Sequence, residues 1–463
     1  MRSIRDPVHG FVHLTEAEVK LLDSRPLQRL RGIRQLAFAN LVYPGALHTR
    51  FDHSIGVTHV AASLADALEL KTEDAELVRL AAILHDIGHG PFSHVSELAL
   101  ERYAKRDRLP ENLRREKIHE IVTAHLIRTD RQIDRCLGRD RCDQVAQLLL
   151  EGHGEPVLRS IVSGPLDADK QDYLLRDSRF CGVEYGVFDI HQLHRSLTIG
   201  GMEGEKQLMI DPDGVHAVEQ YVLAKYYMTR NVYCHRVRLI TDQMITRAIV
   251  VGCERDEIPS LRDLYTLDDP DEFVARYMEW DDARLLESFA GEAAKTKGKC
   301  YDMFSRLRQR RLLKRIFRCR LRELREDVRE TVLGLAAAGD DARRSQVEAG
   351  VAEVLGELTR QKIDPDFVIA HAYDIRSVRE ASGDDEGGIL VDRRPSPRAF
   401  DQESALFASI DAGYVDGYLE IYAPVAWGTR AEREKLVNRS FHPVREVIES
   451  QASESKGRTD ENI

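Results

Sequence analysis

The stretch from Leu77 to Leu84 is almost wholly apolar and ends in His85-Asp86, after which Gly88, Gly90 and Pro91 stop it. A run of this kind reads as a buried helix, so its imidazole and carboxylate are delivered into the interior at its C-terminal end. The fold around it must bring further polar groups to that point. RFDHSIG supplies His53, just before an apolar repeat (Val57, Val60, Ala61, Leu64, Ala65, Leu68) that predicts a helix over Ser54–Leu70. DADKQDYLLRD supplies Asp169, with Tyr173 and Asp177 at i+4 and i+8 along one helical face. Imidazole nitrogen and carboxylate oxygen converging on one point suit Mn, Mg, Fe or Zn, so His53, His85, Asp86 and Asp169 are candidate ligands of a divalent metal ion. For His85-Asp86 alone, the structural alternative is a helix C-cap with a buried hydrogen bond.

The first half reads as helix after helix, which predicts a mainly α core over residues 1–330. Beyond Asp340 the texture changes: DFVIAHAY, GGILV and GYLEIYAP read as strands, separated by ASGDDEGG and DRRPSPR turns. Residues 331–450 are therefore expected to form a helical connector and a smaller C-terminal α+β subdomain, and the polar 451–463 a disordered tail. The 463 residues exceed one ordinary domain, and 43% hydrophobic content supports a well-filled interior. A net charge of −11 argues against a nucleic-acid coat or a membrane-surface binder. No window approaches 18 uninterrupted apolar residues, and the seven dispersed cysteines form no Cys-x-x-Cys pair. The expectation is a cytoplasmic protein with no membrane partner.

The pattern H…HD…D, with its surrounding words, resembles the HD-domain metal phosphohydrolases, and among them the deoxynucleoside-triphosphate triphosphohydrolases. The likeness runs through DPVHG (Asp6–Gly10), PLQRLRGIRQL (Pro26–Leu36), YPGALHTRFDHSIG (Tyr43–Gly56), HDIGHGPFSHVSE (His85–Glu97), IHE (Ile118–Glu120), DKQDYLLRD (Asp169–Asp177) and VYCHRV (Val232–Val237). It implies an HD-domain helical core and makes His53, His85, Asp86 and Asp169 the metal ligands. It assigns His94 and Glu97 to proton transfer at the α-phosphorus of a dNTP, and places His89 and His119 in the same pocket. Histidines capping helices around a Gly-Pro turn are the structural alternative.

A triphosphate carries about four negative charges, and the chain has no GxxxxGK[ST] loop to cradle them. Side chains must serve instead. By position and by resemblance Arg50 and Lys170 hold the phosphates, the first as a fork and the second as a point charge. The resemblance places Gln35, Leu36 and Asp177 at the sugar, with Gln35 and Asp177 on its 3′-hydroxyl. Tyr173 and Tyr233 pack beside it, where a close fit excludes a ribose 2′-hydroxyl. Arg230, one helical turn before Tyr233, completes this set in a stretch whose spacing departs from the family.

The resemblance further implies a guanine nucleotide activator at a subunit interface, on Asp23, Gln28 and Arg31, in a homo-oligomer (dimer or tetramer). Residues 306–325 hold ten Lys/Arg against one acidic residue, and within them Arg310, Arg311 and Lys314 match the family's segment near the activator phosphates. Asp23 as a cap of the Pro26–Gln35 helix, and the basic run as a solvated face, are the alternatives. Nucleic acid is a weaker partner for this run, because only Phe317 offers a ring to stack a base. Two other functions compete with dNTP hydrolysis. One is an HD-type nucleotide phosphatase or phosphodiesterase; the other is a nucleotide-sensing or nucleic-acid-binding module.

Overall fold

A computed structural model describes residues 2–151, 155–201, 206–267, 269–334, 341–374, 388–408 and 417–453. The fold is mainly α, and its chain forms two compact units. The first comprises residues 1–235, 264–286 and 377–414; the second comprises residues 236–263, 287–376 and 415–463.

In the first unit the helix carrying His53 starts earlier than its apolar repeat predicts. Thr49 and Asp52 form a capping box, Asp52 accepting from the Thr49 amide at 2.8 Å, so the helix runs Arg50–Ala67 and holds His53 in its first turn. The apolar run lies in the helix Thr72–Leu84, which starts earlier than expected on exposed residues, is buried over Val78 and Leu80–Leu84, and ends with His85 as its C-cap residue, so Asp86 stands just beyond it. Asp167 caps Ala168–Cys181 by accepting the Lys170 amide at 2.7 Å, and left-handed Gly182 (φ 67°) ends it. That helix packs against Arg50–Ala67. At Gly56 an added Cβ would lie 1.9 Å from Asp172 Oδ1, so only glycine lets the two helices close and bring His53 to Asp169. Arg2–Asp6 and Gly10–Leu14 form an N-terminal hairpin that helical periodicity did not announce.

In the second unit Tyr418–Ala423 is the centre of a three-stranded antiparallel sheet, flanked by Lys314–Arg320 and Ile369–Tyr373. Leu419, Ile421, Ala370 and Ala372 pack with Val351, Leu355, Val444 and Ile448 of the helices Asp341–Thr359 and Arg430–Ser453. All three expected strand segments are present, but two findings move the boundary expected near residue 330. The basic stretch is not one helical face: Lys299–Arg308 is helix and Lys314–Arg320 is strand, which draws this region into the sheet unit. Leu390–Val391 pairs instead with Ile210 in a four-stranded sheet of the first unit. Gln451–Ser453 end the last helix, and the rest of the expected tail lies outside the described residues.

Candidate metal and nucleotide site

Hydrogen bonding fixes which nitrogen each histidine offers. His85 Nδ1 donates to the carbonyl of Ala82 at 2.7 Å, which leaves Nε2 as its lone pair. His53 Nδ1 donates to Asp172 Oδ2 at 2.7 Å, so its Nε2 faces Asp169 Oδ1 at 2.9 Å. One ligand atom each from His53, His85 and Asp169 lies within 4.8 Å of the others. Asp86 borders them, with Oδ1 3.2 Å from His85 Nε2 and Oδ2 3.8 Å from His53 Nε2. His85 Nε2 is buried with no hydrogen-bond partner among the described residues. Such an orphaned lone pair beside a carboxylate and a second imidazole is the donor set of a divalent cation, and the residues fit one.

The charges are arranged accordingly. Burial opposes ionisation of Asp86, but Arg50, helped by His85 and His89, holds its carboxyl well below the usual range. Burial likewise opposes a charge on His53; hydrogen bonds to Asp169 and Asp172 overcome it and raise the imidazole to about 10.

A second layer holds these ligands. Arg176, fully buried, bonds both oxygens of Asp172 at 2.8 and 3.0 Å and Asp6 Oδ2 at 2.9 Å. His9 Nε2 reaches Asp172 Oδ1 at 2.6 Å. The DPVHG word of the sequence therefore buttresses the carboxylate that orients His53. Arg176→Ala leaves two buried carboxylates without their cation, so it should destabilise the chain by about 3–5 kcal/mol. Denaturant unfolding measures this; a loss within experimental error would show that the network carries no stability.

The residues expected to contact a nucleotide have these surroundings. Arg50 is 3% exposed, donating Nη1 to Asp86 Oδ2 at 2.6 Å and Nε to Ser93 Oγ at 2.9 Å. Lys170 Nζ meets Asp167 Oδ2 at 2.7 Å. Asp177 is shared between His48 Nε2 and the Tyr233 hydroxyl, each at 2.7 Å, and the Tyr173 and Tyr233 rings meet edge-on at 6.1 Å. Gln35 and Leu36 are buried. Arg230 is exposed, donating to the Tyr226 hydroxyl at 3.2 Å. His94 opens the His94–Tyr103 helix 5.5 Å from the His89 ring, and Glu97 lies one turn on. Glu97 Oε2 is 3.1 Å from His119 Nδ1, and its Oε1 accepts the Ile118 amide at 2.7 Å. Burial raises the Glu97 carboxyl, but the His119 imidazole and the His119 and Ile118 amides outweigh it and lower it overall. His89 stacks on His119 at 3.9 Å; burial, then Arg50 and His119, push His89 well below its ordinary value, so it is neutral.

Sequence reasoning missed Asp172, Arg176, Asp6, His9 and His48, though each lies in a quoted motif and Asp172 stands three residues after Asp169. It also missed Lys225 on the Val215–Met228 helix, which burial and neighbouring Lys170 push down to about 8. At the expected regulatory positions, Gln28 Oε1 accepts Arg31 Nε at 3.0 Å and Arg31 lies over the Phe51 ring at 3.5 Å. Asp23 does not cap the helix that follows: it is the C-cap residue of Glu16–Leu22, and Ser24 precedes a helix limited to Arg25–Arg29. Arg310 (φ 55°) and Arg311 are exposed between helix and strand, and Lys314 opens the strand.

A family model described as HD domain matches residues 50–177, and one described as HD associated region matches residues 188–384. The chain carries an HD domain over residues 50–177. An uncharacterized protein of Methanocaldococcus jannaschii is 36% identical over 269 residues, 58% of this chain and 53% of that relative. The Homo sapiens deoxynucleoside triphosphate triphosphohydrolase SAMHD1 is 29% identical over 289 residues, 56% of this chain and 46% of its own length. The HD-domain chain thus spans about half the length of the curated relatives it matches. A hypothetical protein from Aquifex aeolicus superposes with a TM-score of 0.69 at 27% identity, covering 95% of this chain and 99% of its own. A Bacteroides thetaiotaomicron phosphohydrolase, 20% identical with a TM-score of 0.68, shares the fold over 91% of this chain and 99% of its own. No described helix is long and apolar enough to cross a membrane.

Proposed function

We propose that this HD-domain protein is a metal-dependent phosphohydrolase that cleaves deoxynucleoside triphosphates to deoxynucleoside and inorganic triphosphate. One observation carries the reading. Gln35 Oε1, His48 Nδ1, Arg50 Nη2, His85 Nε2 and His89 Nδ1 are all buried without a hydrogen-bond partner among the described residues. Native proteins rarely leave such atoms unpaired. This set combines a guanidinium N–H, imidazole nitrogens and an amide oxygen, as an anionic, hydroxyl-bearing ligand beside a cation requires.

In the reaction a water oxygen joins the α-phosphorus, the bond to the sugar 5′-oxygen breaks, and that oxygen leaves with a proton. His53, His85, Asp86 and Asp169 would hold a divalent ion, which would supply a bound water of lowered pKa and polarise a phosphoryl oxygen. Arg50 and Lys170 hold phosphate oxygens. Glu97 keeps its charge and fixes His119, so the carboxylate–imidazole pair and neighbouring His94 move the proton. Gln35 and Asp177 receive the 3′-hydroxyl, with Leu36, Arg230 and the two tyrosines completing the pocket. The protein works in the cytoplasm as a homo-oligomer, with a guanine nucleotide bound at Asp23, Gln28 and Arg31 of one subunit and its phosphates met by Arg310, Arg311 and Lys314 of a neighbouring subunit.

The test is to incubate the purified protein with each dNTP and Mn or Mg, with and without GTP, and to identify the products. Intact inorganic triphosphate supports the reading; orthophosphate or pyrophosphate indicates a phosphatase or phosphodiesterase instead. GTP should raise the rate, and light scattering should find a dimer or tetramer. Ribonucleotides should be poor substrates, because Tyr173 and Tyr233 meet beside the sugar position. Equal hydrolysis of ATP and dATP would refute that role for the tyrosines.

A further inference from the structure

We propose that Asp282 is a positioning residue that ties the segment carrying Gln35 and Leu36 to the turn carrying Ser93 and His94, holding the sugar and phosphate sides of the site in register. The residue is 5% exposed, and each carboxylate oxygen takes one backbone amide from a distant part of the chain. Oδ1 accepts the Phe92 amide at 2.7 Å, and Oδ2 accepts the Arg34 amide at 3.1 Å. The two segments are joined a second time by Ser93, whose hydroxyl donates to the Arg34 carbonyl at 2.7 Å while accepting from Arg50 Nε. A displacement of either segment therefore moves Gln35, Arg50 and the start of the Glu97 helix relative to one another.

The turn needs such an anchor. Phe92 and Ser93 lie at φ 58° and 55°, a left-handed conformation that side chains other than glycine rarely adopt. Strained backbone of this kind persists where its surroundings over-determine it. The residues just before Asp282 press on the same turn. Arg29 donates to the carbonyls of Trp280 (2.8 Å) and His89 (2.7 Å), and a Cβ on Gly90 would lie 2.0 Å from the Tyr277 hydroxyl. Burying a carboxylate is costly unless it is paired or hydrogen-bonded. Burial raises the Asp282 carboxyl to about 6, opposed by the Phe92 and Arg34 amides and then by the Arg34 guanidinium, so these contacts only partly offset the cost of burying it.

The kinetic part of the test rests on the proposed hydrolase activity, and a second readout does not. Asp282→Asn keeps the shape but sets an amide N–H₂ against one of the two backbone N–H groups. It should lower kcat about 100-fold, as a misplacement of about 1 Å can, with a smaller change in dNTP KM, with bound metal unchanged, and with a lower melting temperature that still leaves the chain folded at the assay temperature. Hydrogen exchange read by mass spectrometry should speed up in peptides containing Arg34 and Phe92. Asp281→Asn is the matched control: it removes the same charge one residue earlier, where Asp281 accepts the Arg284 amide at 2.9 Å, and should keep kcat near wild type. Equal losses in the two variants, a loss that only follows unfolding or metal release, or wild-type kcat with unchanged exchange would overturn the proposal. Should the wild type hydrolyse no dNTP, the hydrolase reading falls and exchange at Arg34 and Phe92 alone decides on Asp282.

Discussion

A chain carrying His85→Ala and Asp86→Ala is expected to bind no divalent metal and to turn over no nucleotide while keeping its helical circular dichroism. The two substitutions act differently, and the geometry separates them. His85 spends its Nδ1–H on the Ala82 carbonyl and buries an unpartnered Nε2, so His85→Ala mainly deletes a metal ligand. Asp86 is also the counter-ion of Arg50, both nearly buried. Removing it leaves a buried guanidinium uncompensated and should cost about 3–5 kcal/mol of stability. His85→Ala alone is therefore the cleaner test: metal content by mass spectrometry and turnover both vanish, with little change in the melting curve. Full turnover in a metal-free variant would refute the metal centre.

Glu97→Gln is expected to lower kcat by about 100- to 10,000-fold, the range of a general acid–base group, with metal content unchanged. The carboxylate stands 3.1 Å from His119 Nδ1 and accepts the Ile118 amide, so the substitution removes the charge that orients and polarises the imidazole. His119→Ala should fall in the same range. The double variant should be little worse than either alone, because the two act as one unit. Multiplying losses would show that they act separately, and loss of metal from either variant would mean that a ligand has been misassigned.

The candidate metal ligands, the helices that carry them and the mainly α class are legible in local sequence. An apolar run closed by His85-Asp86 and glycine, and Asp169, Tyr173 and Asp177 spaced i, i+4, i+8, are short-range patterns that a helix converts directly into one face or one end. The start of the His53 helix was misplaced by four residues because Thr49-Arg50-Phe51-Asp52 is a capping signal and not an apolar repeat. Tertiary structure decided what orients those ligands. Asp6 and Arg176 are 170 positions apart, and Glu97 meets His119 from another helix, so no window of sequence contains either pair. The same holds for the sheets. Lys314–Arg320 becomes a strand by pairing with Tyr418–Ala423, and a register shift between Arg315 and Phe317 breaks the alternation that would have marked it. Leu390–Val391 was legible as a strand, but its partner, Ile210, was not. Helices carry their hydrogen bonds within the segment and so can be read from it; strands and buried charges take theirs from elsewhere in the chain, and only the folded structure says from where.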